Sequence, residues 1–210
     1  MTLKYVVDLA NEIIWSKALV YLCLIVGVYF TIATRFLQVR LIKDMVKLMI
    51  EGKSSKRGIS SFQALVVSLS GRVGTGNIAG VATAIAMGGP GAVFWMWVIA
   101  FLGSASAFVE STLAQIYKEE KQGEFRGGPA FYIEKGLGIK WYAVLFAIVT
   151  ILAMGLFLPG IQSNSIALAM NHSLGIPKLA SACFVTALLG LIIFGGIKRI
   201  SRVAEVVVPF

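Results

Sequence analysis

Two long stretches without an acidic or basic residue constrain the fold of this chain more than any other feature. No Asp, Glu, Lys, Arg or His lies between Arg72 and Glu110, and only His172 interrupts the interval from Lys140 to Lys178. A helix needs about 20 mainly apolar residues to cross a bilayer, so each interval can hold a complete span. Charged residues make up 14% of the chain, against roughly 25% in a soluble domain. The sequence therefore predicts an all-α integral membrane protein.

The apolar intervals predict five spans and the start of a sixth. They cover residues 18–34, 60–87, 92–117, 142–169 and 179–197, and a further span begins at 203–210. Two other segments, residues 1–15 and 36–50, mix charged and apolar positions as helices at a membrane surface do; a basic loop at 53–57 continues the second. Residues 118–140 are polar and glycine-rich, which predicts a loop with one short interfacial helix.

The basic residues indicate which loops face the cytoplasm. Fifteen of the 19 Lys and Arg residues lie within residues 35–57, 118–140 and 198–202. Cytoplasmic loops carry an excess of these residues, so the N-terminus is predicted outside and the span 60–87 runs from inside to outside. The net charge of +9 thus reflects membrane topology, and no nucleic-acid partner is predicted.

The segment from Ser70 to Gly80 weakens the second span at its middle. It reads SGRVGTGNIAG and holds four glycines, an Arg, a Thr and an Asn. Each glycine costs a helix interior about 1 kcal/mol relative to alanine. Broken backbone at membrane depth is tolerated only where protein buries it or where it lines a cavity. The segment therefore predicts the broken helix of a transporter's binding site.

A broken helix supplies two kinds of backbone ligand. Free N–H groups at the start of its outer half attract a carboxylate, and free carbonyls at the end of its inner half suit Na⁺. The amides would come from Thr75 and Gly76, while the Asn77 side chain would add a neutral oxygen suited to an alkali cation. The predicted carbonyl ligands are Ser70, Arg72 and Val73.

Two other interpretations of the glycines remain open. Gly74, Gly76 and Ala79 match the nucleotide-binding pattern G-x-G-x-x-G/A, but that site needs a preceding strand and an acid about 20 residues on, and residues 92–109 contain no acid. Alternatively, Gly76 and Gly80 form a small-xxx-small pair, which permits close packing of helices.

One family shares these motifs. The segment Gly71 to Trp97, GRVGTGNIAGVATAIAMGGPGAVFWMW, closely resembles the alanine/glycine:cation symporter family of sodium-coupled amino acid transporters. GEFRGGPAFYIEKGLG at 123–138 and QSNS at 162–165 are similar to further family segments. The resemblance covers most of the chain from Ser60 onward. It implies the LeuT-type fold of two inverted five-helix repeats, preceded here by one extra helix.

The resemblance also implies which groups bind the substrate. The amides of Thr75 and Gly76 would hold the substrate carboxylate. Gln162, beside Pro159 on the third core helix, would be a polar contact to the substrate. An interhelical hydrogen bond unrelated to substrate is the alternative role of Gln162.

For the cation, the resemblance implies two sodium sites. The Asn77 side chain and the Arg72 carbonyl belong to one, and the carbonyls of Ser70 and Val73 to the other. The Arg72 side chain departs from the family pattern, because an arginine cannot accept a hydrogen bond from the ammonium of an amino acid. Either it points away and pairs with Glu110 or another carboxylate, or the amine is recognised differently.

The function implied is sodium-coupled symport of alanine or glycine across the plasma membrane by alternating access. Such a protein is not an enzyme and needs no cofactor besides Na⁺ as the coupling ion. The chain is expected to be a truncated N-terminal part that is inactive alone, with four helices of the first repeat and the start of the fifth. The alternative is a non-transporting membrane scaffold or assembly partner whose glycines serve helix packing.

Overall fold

The computed structural model describes residues 3–51, 58–121 and 123–208. The predicted basic loop 53–57 lies outside these residues. The described part is mostly helical. Its elements in chain order are α1 (Leu3–Ile14), α2 (Lys17–Ala33), α3 (Leu37–Arg40), α4 (Ile42–Glu51), α5 (Ser61–Ser70), a π-helical turn (Gly76–Gly80), α6 (Val81–Gly88), α7 (Gly91–Ile116), β1 (Glu119–Lys121), β2 (Glu124–Arg126), α8 (Pro129–Leu137), α9 (Lys140–Leu152), a π-helical segment (Ala153–Phe157), α10 (Leu158–Leu174), α11 (Lys178–Ile193) and α12 (Gly196–Val207).

Three helical stretches of the described residues are long and apolar enough to cross a membrane. They are Lys4–Ala33, Gly91–Ile116 and Lys140–Leu174. Their large apolar side chains are mostly exposed, which has little cost where the surroundings are lipid tails as apolar as leucine. These helices confirm the predicted class, an all-α membrane protein.

The first long stretch packs against α7 through small residues. Gly27 is buried, and a Cβ added to it would lie 2.9 Å from Leu102 Cβ, so only glycine permits this approach of the two helices. One turn later, the Thr31 hydroxyl donates a hydrogen bond of 2.7 Å to the Gly27 carbonyl. Ala105 of α7 is fully buried. Close packing of small residues is the usual basis of helix pairing in membranes.

The second predicted span consists of two short helices separated by an irregular segment. α5 begins with a capping box, in which Ser60 and Gln63 exchange side-chain and backbone hydrogen bonds at 3.1 Å. Residues 71–75 follow, and a π-helical turn then leads into α6. α6 ends at Gly88, and the next residue, Gly89, has a φ of +70°, which favours glycine. The break predicted within residues 70–80 is thus confirmed.

The stretch Lys140–Leu174 remains helical through Pro159. Proline lacks an amide hydrogen, so the carbonyl four residues earlier loses its helical partner. That carbonyl belongs to Gly155, inside the π-helical segment that directly precedes α10. The amide hydrogen that Pro159 lacks thus coincides with a π-helical segment, a feature that often marks functional sites.

After α11 the chain bends sharply. α11 and α12 meet at an angle of 119°, and α11 ends at Ile193 rather than at residue 197. Gly196 adopts a φ of +68°, which the twin glycines make possible. A helix therefore begins at Gly196, seven residues before the predicted start at 203. The side chain of Gln63 at the start of α5 donates a hydrogen bond of 3.0 Å to Glu205 on α12.

The predicted loop between α7 and α9 contains more structure than one helix. β1 and β2 form an antiparallel hairpin that pairs Glu119 with Arg126, and α8 follows it. The Glu119 carboxylate contacts Lys135 of α8 at 2.7 Å and Lys121 at 2.9 Å. Hydrogen bonds from Lys135 and then Lys121 hold the pKa of Glu119 below its ordinary value.

Candidate functional site

The end of α5 leaves several backbone carbonyls without partners. The amides that follow the helix bond carbonyls of the preceding turn. The Gly71 N–H donates to the Val67 carbonyl at 3.2 Å, and the Val73 N–H donates to the Leu69 carbonyl at 3.0 Å. Among the described residues, no hydrogen bond reaches the carbonyl oxygens of Ser70, Arg72 and Val73. Ser70, Arg72 and Val73 are also exposed. These are the three carbonyls that the sequence assigns to cation binding, and each can accept a ligand.

The amide of Thr75 is the point where the break meets α10. Its N–H donates a hydrogen bond of 3.0 Å to the side-chain oxygen Oε1 of Gln162. Both residues are partly buried. The tertiary structure thus brings together two of the three residues predicted to bind the substrate.

Gly74 makes room for this contact. A Cβ placed on Gly74 would meet Nε2 of Gln162 and lie 3.3 Å from its Cδ. A side chain at position 74 would therefore displace the Gln162 amide group. Sequence reasoning did not assign Gly74 a role in the site, although its place between Val73 and Thr75 is a signal that could have identified it.

Gly76 and Gly80 do not form a packing notch in the part of the chain that the structure describes. A Cβ added at either position would meet nothing within 4 Å. Gly76 is exposed, so its backbone can be approached from outside the helix. The described contacts therefore give no support to the helix-packing interpretation of this pair.

Asn77 folds back onto the break. Its side-chain oxygen Oδ1 accepts a hydrogen bond of 3.3 Å from the Gly74 amide, and its own N–H donates to the Gly74 carbonyl at 3.0 Å. An amide oxygen has two lone pairs. One therefore remains for a cation.

The Arg72 side chain is exposed and has no carboxylate partner among the described residues. The predicted alternative of an Arg72–Glu110 ion pair is therefore wrong in this structure. The charge of Glu110 instead affects Tyr132 of α8. Burial raises the pKa of the Tyr132 phenol above its ordinary value, and the negative charge of Glu110 raises it further. The two ends of the proposed pair belong to different parts of the fold.

Comparison with known proteins gives a consistent family. The model of the sodium:alanine symporter family matches residues 1–210. A Bacillus subtilis protein with the provisional name sodium/proton-dependent alanine carrier is 62% identical over 200 residues, which is 95% of this chain and 41% of that protein.

Two further relatives extend the comparison. A protein of Bacillus subtilis named probable sodium/glutamine symporter is 51% identical over 98% of this chain and 44% of its own length. The sodium/proton-dependent alanine carrier protein of Bacillus sp. strain PS3 is 52% identical over 79% of this chain and 37% of its own length. The chain spans about two fifths of the length of these relatives. By its sequence, the chain belongs to the sodium:alanine symporter family, a family of transporters and not of enzymes.

Proposed function

We propose that this chain carries the substrate- and cation-binding break of a symporter that moves small neutral amino acids, alanine or glycine, together with Na⁺. The observation that carries the proposal is the hydrogen bond from the Thr75 amide to Gln162. In a regular helix the Thr75 N–H would bond a backbone carbonyl and could not bind a ligand. Here its partner is the neutral side-chain oxygen of Gln162. A substrate carboxylate can take that place with a stronger, charge-assisted hydrogen bond.

In this proposal Gln162 exchanges one partner for another. When the carboxylate binds the amides of Thr75 and Gly76, the Gln162 side chain is released from Thr75. Its amide group then contacts the substrate from α10. The open space beside Gly76 supports the approach of the substrate from that side of the break.

The free carbonyls support sodium as the coupling ion. Neutral oxygens are the ligands that hard alkali cations accept, and transition metals bind them only weakly. We assign Asn77 and the Arg72 carbonyl to one Na⁺ and the Ser70 and Val73 carbonyls to a second. The free lone pairs at these four positions support the assignment.

The proposed architecture is the LeuT-type fold, with α5 and α6 as its first, broken core helix. We place the protein in the plasma membrane with its N-terminus outside, because the basic residues concentrate in alternate loops. In this orientation the start of α6 directs its amides toward the bilayer centre. That arrangement is the one an anionic substrate group requires.

The test is transport by the whole protein reconstituted in liposomes. We expect an inward Na⁺ gradient to drive accumulation of labelled alanine, with no accumulation when choline replaces Na⁺. Unlabelled glycine should compete at concentrations that leave glutamine ineffective. Uptake that persists without Na⁺ but collapses with a protonophore would reject sodium coupling, and preferential competition by glutamine would reject alanine as the substrate.

A further inference from the structure

A pocket of about 360 Å³ lies at the end of α2, away from the break. Its walls include the apolar side chains of Leu37, Leu41 and Phe108, and two arginines, Arg35 and Arg40, also line it. Apolar walls with convergent polar groups are the usual composition of a small-molecule site. The pocket therefore combines a surface for hydrocarbon with two cationic groups.

The backbone places Arg35 at this pocket by an unusual turn. The Phe36 amide donates to the Thr31 carbonyl at 2.8 Å and the Arg35 amide to Ile32 at 2.9 Å, which is the Schellman pattern of a helix end. Glycine normally occupies the position that Arg35 takes, and Arg35 has a φ of +55°. A side chain in this left-handed region costs roughly 1–2 kcal/mol. Arg35 therefore makes this turn less stable than glycine would.

Neither arginine is neutralised within the described part of the chain. No carboxylate lies within ion-pair distance of Arg35 or Arg40. Both side chains are exposed. Guanidinium groups bind phosphate oxygens in bidentate fashion, which makes arginine pairs frequent at phosphate sites.

We propose that this pocket binds the phosphate of an anionic phospholipid. Arg35 and Arg40 contact the phosphate, and one acyl chain lies against Leu41 and Phe108. Phe108 projects from α7, a helix long and apolar enough to cross a membrane, and is 43% exposed. A lipid accounts for the apolar wall and the arginines together, whereas free phosphate accounts for the arginines alone.

The test measures lipid binding by native mass spectrometry of the whole protein in an uncharged detergent. Short-chain phosphatidylglycerol is the probe, and phosphatidylcholine with the same chains is the zwitterionic comparison. Arg35→Gly suits the left-handed backbone, so it removes the charge without strain. We expect roughly fivefold weaker binding of phosphatidylglycerol for Arg35→Gly and again for Arg40→Gln.

The matched control is Lys43→Gln, which removes an exposed charge of α4 that does not line the pocket. It should leave binding within twofold of the unaltered protein. The proposal is overturned if the double arginine variant binds phosphatidylglycerol normally, or if Lys43→Gln weakens binding equally. It is also overturned if inorganic phosphate at the same concentration displaces the lipid. Because no step requires transport, failure here is distinct from failure of the proposed function.

Discussion

The amide of Thr75 and the side chain of Gln162 are 87 positions apart in sequence and form a hydrogen bond of 3.0 Å. This bond connects the broken helix to α10. It uses the Thr75 amide, to which the sequence assigns the substrate carboxylate. Gln162 thereby holds the Thr75 donor in place. In the proposed function, this contact is the one that substrate binding must change.

The first prediction concerns Gln162. Gln162→Ala should raise the KM for alanine about 5–10-fold, the value of one net hydrogen bond. Gln162→Glu should abolish uptake, because a fixed carboxylate at Thr75 competes with that of the substrate. Labelled alanine uptake at varied alanine concentration measures both.

Ser165→Ala is the matched control, since among the described residues the Ser165 hydroxyl bonds only the Ile161 carbonyl of its own helix, at 3.0 Å. It should transport normally. Normal KM values in both Gln162 variants would show that Gln162 is merely a structural contact.

The second prediction compares two glycines. Gly74→Ala places a methyl group where the Gln162 side chain lies, so we expect uptake to fall at least tenfold while the protein still folds. The backbone at Gly74 has no positive φ, and the flexible glutamine can move aside. Uptake measured together with a thermal unfolding curve separates loss of function from loss of stability.

Gly80→Ala provides the contrast to Gly74→Ala. No atom of the described residues lies within 4 Å of the added methyl, and alanine favours a helix by about 1 kcal/mol over glycine. This variant should therefore unfold at an equal or higher temperature and transport normally. Equal loss of uptake in both variants would contradict the specific role of Gly74.

The third prediction addresses sodium through Asn77. Asn77→Ala removes the side-chain oxygen assigned to the cation and leaves the Gly74 amide without its partner. The Na⁺ concentration that gives half-maximal alanine uptake should rise about tenfold or more. Asn77→Asp, which restores an oxygen, should recover part of the affinity. An unchanged sodium dependence in Asn77→Ala would remove Asn77 from the cation site.

The fourth prediction concerns the ion pairs of the hairpin. Lys135 and Lys121 hold the pKa of Glu119 below its ordinary value. Their stabilising contribution is therefore fully present at pH values above that ordinary pKa. It is lost as pH falls through the lowered pKa. Thermal unfolding followed by circular dichroism, from neutral pH down to about pH 3, should show a smaller acid destabilisation in Glu119→Gln than in the unaltered protein.

Glu134→Gln is the control for this measurement, since Glu134 is an exposed carboxylate of the same helix as Lys135. Its unfolding temperature should follow the unaltered protein across the pH range. The role assigned to Glu119 fails if the two glutamine variants behave alike.

Several features could be predicted because their causes are local. The apolar intervals from Arg72 to Glu110 and from Lys140 to Lys178 determine where membrane-length helices form. The glycines around Thr75 weaken the helix at the position where the structure breaks it. Other local signals were present but unused, such as the capping box of Ser60 and Gln63.

Features that depend on contacts between distant segments were not predicted. The hairpin at residues 119–126 is held by its pairing and by Lys135, and charged residues alone give no strand pattern. The left-handed turn at Arg35 has no glycine, the residue by which such a turn is usually recognised in a sequence. The bend of 119° after α11 depends on how α12 packs against α5.

The sequence by itself determined the membrane class and the broken helix, because helix propensity and hydropathy act over a few neighbouring residues. Only the tertiary structure decided that Gln162 reaches Thr75, that Gly74 makes room for it, and that Arg72 does not pair with Glu110. These relations depend on the packing of helices remote in the chain, where a difference of a few ångströms makes or breaks a hydrogen bond.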